Sequence, residues 1–501
     1  MEFLHAKGGR LYCGDSPMLL RGMGLGGWLL PEGYMWKLYT KCDRPRRIEA
    51  LIGRLCGAEY AASFWEQYFA SYITEADIAW IAAQGMNSVR LALNSRLLFE
   101  AAPDGAVTFR ASALHLVDSC VAWCRQHGIY VMLDMHGAPG GQTGQNIDDC
   151  ENDRPELFTS VGHQDTLVEM WRLLALRYRD EPAVGGYDLL NEPLPNIFRQ
   201  YAPQLLPLYR RLIAAIREID TKHLIILEGL HWATDVSVFD GMTRAEAADN
   251  LLLQFHKYWS APDEESLAPF LQAAKRLNVP LWMGEGGENN PAWYTTVFPL
   301  YERLGIGWCF WTYKKMETPN SPVTFAQPEG WQEILDYLGG GAQPSRAVAM
   351  ATFDELLACI RSSTYHPELV DALLRRPPVR IPAEAFDAEQ IHSEREPGAD
   401  FRSASRATLL YADGHTGAGD WRRYGGEPQP ERERMLLRLH EGDRVAYRIQ
   451  AAADPHTKIT VHWHGSGTLR TRLDEADAAL VWVCCTSGTV DIEAVEASIM
   501  E

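Results

Sequence analysis

From residue 18 onward, short apolar runs alternate with longer amphipathic stretches. The runs 18–25, 87–92, 129–136, 186–190, 224–228, 251–256, 280–284 and 307–311 are apolar for most of their length. They have the length and texture of parallel strands buried on both faces. Helical spacing fills much of the intervening chain, at 111–127, 163–179, 203–220, 263–276, 292–303 and 328–337. Thr74-Glu75-Ala76-Asp77 is a capping box that opens a further helix, and Gly85 and Gly128 are helix stops. Roughly eight strand–helix units over about 340 residues predict a (β/α)8 barrel, the TIM-barrel form of the α/β class. The rival is an open doubly wound sheet. It needs a phosphate-binding glycine fingerprint, which Gly22-Met23-Gly24-Leu25-Gly26-Gly27 matches poorly.

Residues 31–72 interrupt the alternation with an aromatic-rich helical insertion carrying Trp36, Phe64, Trp65, Tyr68, Phe69 and Tyr72. After Gly339-Gly340-Gly341 the texture changes again. Residues 345–375 read as helix, and Pro377-Pro378 and Pro382 mark a linker. Beyond them come short strands at 408–411, 435–439, 444–449, 458–463, 479–484 and 490–495, with turns at Asp413-Gly414, Glu441-Gly442 and Ser487-Gly488. The expected organisation is a catalytic barrel over 1–342, a helical linker packed on it over 343–380, and an all-β, jelly-roll-like sandwich over 381–501.

Composition narrows the function. Lys and Arg total 47 against 66 Asp and Glu, a formal charge of −19. That balance argues against nucleic acid and anionic membranes as partners. The ten cysteines are scattered without zinc-ligand spacing, so no metal is expected, and free thiols point to a reducing compartment. Residues 1–10 lack an apolar leader core. The expected location is the cytoplasm, or outside the cell if a leader has been removed.

The candidate chemistry lies where the apolar runs end. In order these ends carry Arg90, His136, Asn191 with Glu192, His256 with Tyr258, Glu285, and Trp311 with Tyr313, while the run interiors read as apolar. Barrel enzymes place their active sites at the C-terminal ends of strands. Two strand-end carboxylates, Glu192 and Glu285, are the minimal equipment for cleaving a glycosidic bond. Glu288, Glu32 and Glu228 are weaker alternatives.

Several motifs together resemble glycoside hydrolase family 5, whose members are retaining β-glycosidases. They are Arg21-Gly22-Met23-Gly24-Leu25-Gly26-Gly27-Trp28, Asn87-Ser88-Val89-Arg90, Asp134-Met135-His136-Gly137-Ala138-Pro139-Gly140, Asn191-Glu192-Pro193, Phe255-His256-Lys257-Tyr258, Gly284-Glu285-Gly286-Gly287 and Trp308-Cys309-Phe310-Trp311. The resemblance implies Glu192 as acid/base, Glu285 as nucleophile and Arg90 as the cation paired with Glu285. It places His136, Asn191, His256 and Tyr258 in the sugar subsite, with Trp311 as a platform beside the scissile bond. No cofactor is implied, and the partner is a carbohydrate.

The Gly-Ala-Pro-Gly-Gly loop, with Gln142, Gln145, Asn146, Asp148 and Asp149, resembles β-1,3-glucanase and β-glucosidase-like members. With the 31–72 insertion it favours an exo-acting pocket for β-glucans. Mannan, galactan and glycolipid substrates remain open, as does a non-catalytic carbohydrate-binding protein on the same scaffold. The C-terminal domain resembles a family 6-type carbohydrate-binding module through residues 381–386 and 441–447. That likeness makes Glu384 a candidate calcium ligand and Trp421, Tyr424, Trp463 and Trp482 candidate platforms.

Overall fold

The computed structural model describes residues 1–38, 42–102 and 105–500. Three residues of the expected insertion, 39–41, and the last residue of the expected sandwich, 501, lie outside the described residues. The chain divides into two compact units. One comprises Met1–His256, Phe270–Gly286 and Gly307–Tyr365; the other comprises Lys257–Pro269, Gly287–Ile306 and His366–Glu501.

The first unit is a closed barrel of eight parallel strands that follow one another in chain order. They are β1 (Arg21–Gly24), β2 (Ser88–Asn94), β3 (Tyr130–Gly137), β4 (Val184–Asp188), β5 (Leu224–Glu228), β6 (Leu251–His256), β7 (Leu281–Gly287) and β8 (Gly307–Trp311). Every residue of β2 through β8 is buried, which is why the sequence shows runs without polar alternation. At Gly22 an added Cβ would stand 2.6 Å from the Ser88 hydroxyl, so the first two strands approach at a residue without a side chain.

The helices match the amphipathic stretches except in the fifth crossover. There, three short helical turns at Leu230–Ala233, Val236–Gly241 and Arg244–Ala247 carry the chain from β5 to β6. The insertion folds as two helices, Pro45–Cys56 and Ala58–Tyr72. Trp36, Phe64, Tyr68 and Tyr72 are core, whereas Trp65 and Phe69 are half-buried; Trp36 lies with Tyr68, Phe64 and Trp331 at centroid distances of 5.1, 6.3 and 6.4 Å. An N-terminal hairpin, Leu4–Lys7 with Arg10–Cys13, joins the barrel core. Leu4 and Leu11 cluster with Tyr130, Leu224, Leu252 and Trp282 from the starts of the strands, so the hairpin plugs the end opposite the strand C-termini.

The second unit contains antiparallel sheets that form a sandwich. One sheet runs Val379–Pro382, Thr489–Ile499, Met435–His440, Thr408–Tyr411, and Thr457–Gly465 also pairs with Thr489–Ile499. The other runs Ala388–Gln390, Arg444–Arg448, Leu480–Ser487, Thr468–Leu473. Alternate residues such as Leu437, Leu439, Val445, Tyr447, Val481 and Val483 fill the core, as expected where each sheet buries one face.

Candidate active site

The site is built around one guanidinium. Arg90 is fully buried in β2. Its Nε donates to Asp188 Oδ2 at 2.8 Å, and its Nη2 donates to Asn191 Oδ1 at 2.8 Å and Glu228 Oε1 at 2.9 Å. Asp134 Oδ1 lies 3.1 Å from Nη2, and Nη1 donates to Glu285 Oε1. A buried cation is tolerable only when paired and hydrogen-bonded on every side. Burial works against the charge on Arg90, but Asp134, Asp188, Glu285 and Glu228 outweigh it and hold its pKa well above the ordinary arginine value.

Asp134 and Asp188, inside the runs 129–136 and 186–190, correct the expectation of apolar interiors, and Glu228 ends the run 224–228. All three are fully buried within barrel strands, as is Gln254. Burial pushes the Asp188 carboxyl well up, against the pull of Arg90. Burial also raises Glu228, but His256, Arg90 and the Glu192 backbone together bring it below its usual range. Single acids inside apolar runs were the available signal for Asp134 and Asp188, whereas Glu228 already stood among the weaker alternatives.

Glu192 follows β4 on a turn with φ of 46°, a left-handed conformation that costs a non-glycine residue roughly 1–2 kcal/mol. Its backbone N–H donates to Glu228 Oε2 at 2.7 Å. Its Oε1 lies 2.6 Å from His256 Nδ1. Gln254 Nε2 lies 2.9 Å from His256 Nε2 and donates to Glu228 Oε1 at 2.6 Å. Burial works against a charge on His256, but Glu285, Glu228 and Glu192 outweigh it and hold its pKa well above the ordinary histidine value, so Nδ1–H donates to Glu192. Burial pushes the Glu192 pKa up; His256 opposes this, and Glu285 and Glu228 add to it.

Glu285 stands near the end of β7. Its Oε2 lies 3.5 Å from His256 Nδ1. One ligand atom from each of Glu192, His256 and Glu285 falls within 4.8 Å of the others. A divalent cation could fit that spacing. It would have to displace the Arg90–Glu285 and Glu192–His256 pairs, and the guanidinium already supplies the positive charge.

His136 Nδ1 lies 2.7 Å from Asp134 Oδ2, and its Nε2 is 3.4 Å from Asn191 Nδ2. The His136 ring stacks on Trp311 with centroids 5.2 Å apart and planes 9° apart. The Trp311 indole N–H donates to the Tyr34 hydroxyl at 3.1 Å, which brings the insertion to the site. Added Cβ atoms at Gly24 and Gly26 would meet the indole at 2.4 and 2.6 Å. Trp311 is therefore 3% exposed, not the open rim residue its strand-end position suggests.

Seven of the eight residues singled out, Arg90, His136, Asn191, Glu192, His256, Glu285 and Trp311, belong to the first unit. Tyr258 belongs to the second, with its ring 5.3 Å from that of Trp259. Glu288 also lies in the second unit, on left-handed backbone with φ of 44°. Tyr313 donates to Asp77 at 2.9 Å, and so joins the helix cap. The 137–153 loop is pinned from within. Gln142 donates to the carbonyls of His136 and Asn191 at 2.7 and 2.9 Å. Asp148 accepts from the Thr143, Gly144 and Cys150 backbone, and Asp149 from Arg46, Asn94 and Arg96. In the second unit Glu384 is 2% exposed, and burial raises its pKa to about 7. Among the described residues Glu384 belongs to no group of three or more His, Cys or acidic side chains that could hold a metal ion.

A parallel eight-stranded barrel with two acids brought together at strand ends defines the barrel class of glycosidase folds. The family model for cellulase (glycosyl hydrolase family 5) matches residues 55–317, more than half of the chain. The chain belongs to glycoside hydrolase family 5. It is 33% identical over 240 residues to a β-xylosidase of Phanerodontia chrysosporium, covering 48% of each chain. It is 28% identical over 242 residues to a probable glucan 1,3-β-glucosidase A of Emericella nidulans, covering 48% of this chain and 57% of that one. The chain thus spans about half the length of these two relatives. Among solved structures, an endogalactoceramidase aligns over 98% of this chain and all of its own, at 18% identity and a TM-score of 0.48.

Proposed function

We propose that the protein hydrolyses β-glycosidic bonds with retention, with Glu192 as acid/base and Glu285 as nucleophile. The reading is carried by the carboxylate pair, whose nearest oxygens fall within 4.8 Å. Retaining enzymes hold their carboxyls about 5–5.5 Å apart, whereas inverting enzymes leave room for water at roughly 6.5–9.5 Å. The surroundings of the two acids differ in the sense this chemistry needs. Glu192 is buried among acids and kept protonated to higher pH, so it can give a proton to the leaving oxygen. Glu285 is held by a guanidinium, which suits a carboxylate that must attack as an anion.

In the first step Glu285 attacks the anomeric carbon as Glu192 protonates the departing oxygen, leaving a glycosyl ester on Glu285. In the second, Glu192, now a carboxylate, takes a proton from water, which attacks the same carbon and releases Glu285. His256, held by Gln254, keeps the Glu192 carboxyl oriented. Asn191, anchored through its carbonyl to Arg90, turns its amide N–H2 toward the sugar 2-hydroxyl. His136 and Trp311 complete the sugar subsite, with Trp311 as its floor.

We infer a β-glucan or short β-glucoside as substrate, taken from a chain end. The pinned 137–153 loop and the insertion's Tyr34 at Trp311 support a cleft closed on one side. The β-xylosidase relative favours β-xylosides as the second substrate class. The ten cysteines are all unpaired, which supports a reducing, cytoplasmic setting. Proton NMR of aryl β-glucoside and β-xyloside hydrolysis tests the reading. The β-anomer of the free sugar should appear first. First release of the α-anomer, or no turnover of either compound, would overturn it.

A further inference from the structure

Two large aromatic side chains of the second unit face water: Trp259 is 38% exposed and Tyr424 59%. Their rings meet edge to face, with centroids 4.6 Å apart and planes at 65°. Tyr258 lies against the other ring, 5.3 Å from Trp259. In sequence Trp259 stands three residues after His256, and Tyr424 comes from the loop between two sandwich strands.

Both rings are held from behind. The Trp259 indole N–H donates to the Glu288 carbonyl at 2.8 Å, and the Trp293 indole N–H donates to the Ser260 carbonyl at 2.9 Å. The amides of Asn289 and Asn290 reach across to the carbonyls of Trp421 and Glu427, at 2.8 and 2.9 Å. Trp421 turns inward against Phe401, 4.9 Å away. The inner tryptophan and the two amides anchor the loop, and the outer tyrosine is presented from it. Surface aromatics fixed in this way lose little conformational freedom when a ligand stacks on them.

We propose that Trp259 and Tyr424 form a saccharide-binding platform, distinct in its residues from the Glu192–Glu285 pair. The pyranose ring is the occupant that fits. Its C–H face matches an aromatic surface, while its hydroxyls need charged and amide groups at the edge. Those groups are present. Asp420 and Arg422 form a two-point pair at 2.8 and 2.9 Å, and Glu427 accepts from the Gly425 N–H at 3.1 Å. Two rings are too small an area for a protein partner, which needs about 800 Å² on each side. The charged rim disfavours an acyl chain.

Affinity electrophoresis in native gels containing laminarin, barley β-glucan, glucomannan or xylan tests the proposal. A Glu192→Gln background keeps the polymer from being consumed. At least one polymer should retard the full chain, and Trp259→Ala or Tyr424→Ala should each weaken that retention about three- to ten-fold, the worth of one aromatic contact. Tyr424→Phe, which keeps the ring, should retain binding. With Glu192 restored, both alanine variants should turn over an aryl glycoside at the wild-type rate. Absence of retardation by all four polymers, or retention unchanged in both variants, would overturn the platform. So would loss of aryl-glycoside turnover alongside binding, since the rings would then serve the catalytic pair. Failure of the wild type to turn over aryl glycosides while the gel result holds would count against the hydrolase reading alone.

Discussion

The backbone N–H of Glu192 donates to Glu228 Oε2 at 2.7 Å. The proposed acid/base is thereby locked to a carboxylate on the neighbouring strand. The bond holds Glu192 in its left-handed turn while Glu228 Oε1 accepts from Arg90 and Gln254. One carboxylate therefore sets the backbone of Glu192, the orientation of His256 through Gln254, and part of the charge balance of Arg90.

Glu228→Ala should accordingly damage both fold and rate. Removing one partner of a buried charge network costs about 3–5 kcal/mol, readable as a lower urea midpoint. Glu228→Gln keeps an acceptor for the Glu192 N–H and should recover much of that stability. It should still lower kcat more than it raises KM, because the acid is displaced while the sugar contacts persist. Equal stability of the two variants would mean that the turn does not depend on this hydrogen bond.

Arg90→Lys keeps a positive charge but cannot reach five partners with one ammonium. The buried acids left without a donor should lower kcat/KM by about a hundred-fold or more, since each 1.36 kcal/mol is a factor of ten. Steady-state kinetics on an aryl glycoside at fixed pH would check this. Near-wild-type activity would remove Arg90 from its central role.

Much of this site was legible in the sequence because parallel strands deliver their last residues to one face, and the runs end visibly. Glu192, His256 and Glu285 stand at or near such ends, whereas Arg90 is the third of the seven residues of β2, not the end residue the sequence suggested. Asp134, Asp188 and Glu228 were not legible as a group, because strands buried on both faces give no alternation to say which side chain points into the barrel. The burial of Trp311 was hidden for a different reason. It depends on Gly24 at the end of β1 and Gly26 in the turn after it, nearly 290 positions away, and on the ring of His136, and position along a single run carries neither. The sandwich was read from its longer strands, whereas Ala388–Gln390 and the exposed Thr468–Leu473 have too little apolar pattern to announce themselves.

The glycine contacts make a sharp prediction. Gly24→Ala places a methyl 2.4 Å from Trp311 Cε3, so the indole must move. Activity should fall at least as severely as in Trp311→Phe, with modest loss of thermal stability. Trp311→Ala should cost about 3–5 kcal/mol, as large-to-small changes in a core do. A Gly24→Ala enzyme with unaltered kcat/KM would show that the site tolerates the displaced ring.

Titration offers a further handle. Burial raises Glu384 from 4.5 to about 7 in the folded protein, so the native state binds this proton more tightly than the unfolded chain does. Its contribution to stability is complete below about pH 4.5 and is lost as pH rises through about 7. Glu384→Gln should flatten that part of the Tm profile and raise Tm at pH 8. For catalysis the relevant group is Glu192, also raised by burial. The wild-type rate should decline on the alkaline side as Glu192 loses its proton, and Glu192→Gln should lack that limb with leaving groups that need no protonation.

The two glutamates can be told apart by the hand of their rescued products. Glu285→Ala leaves a hole on the α face of the sugar. Azide can enter it and displace an activated β-leaving group once, giving an α-glycosyl azide. Glu192→Ala keeps the nucleophile, so a substrate with a good leaving group still forms the glycosyl ester on Glu285. Deglycosylation then slows, because the base that activates water is missing. Azide needs no base and attacks that ester from the β face, giving a β-glycosyl azide and a faster steady state. NMR of the isolated azides reads the configuration directly. Opposite configurations in this order assign the roles as proposed, and the reversed pair would exchange them. Full activity in either variant without azide would move the chemistry to another acid, with Glu228 the nearest candidate in the same buried network.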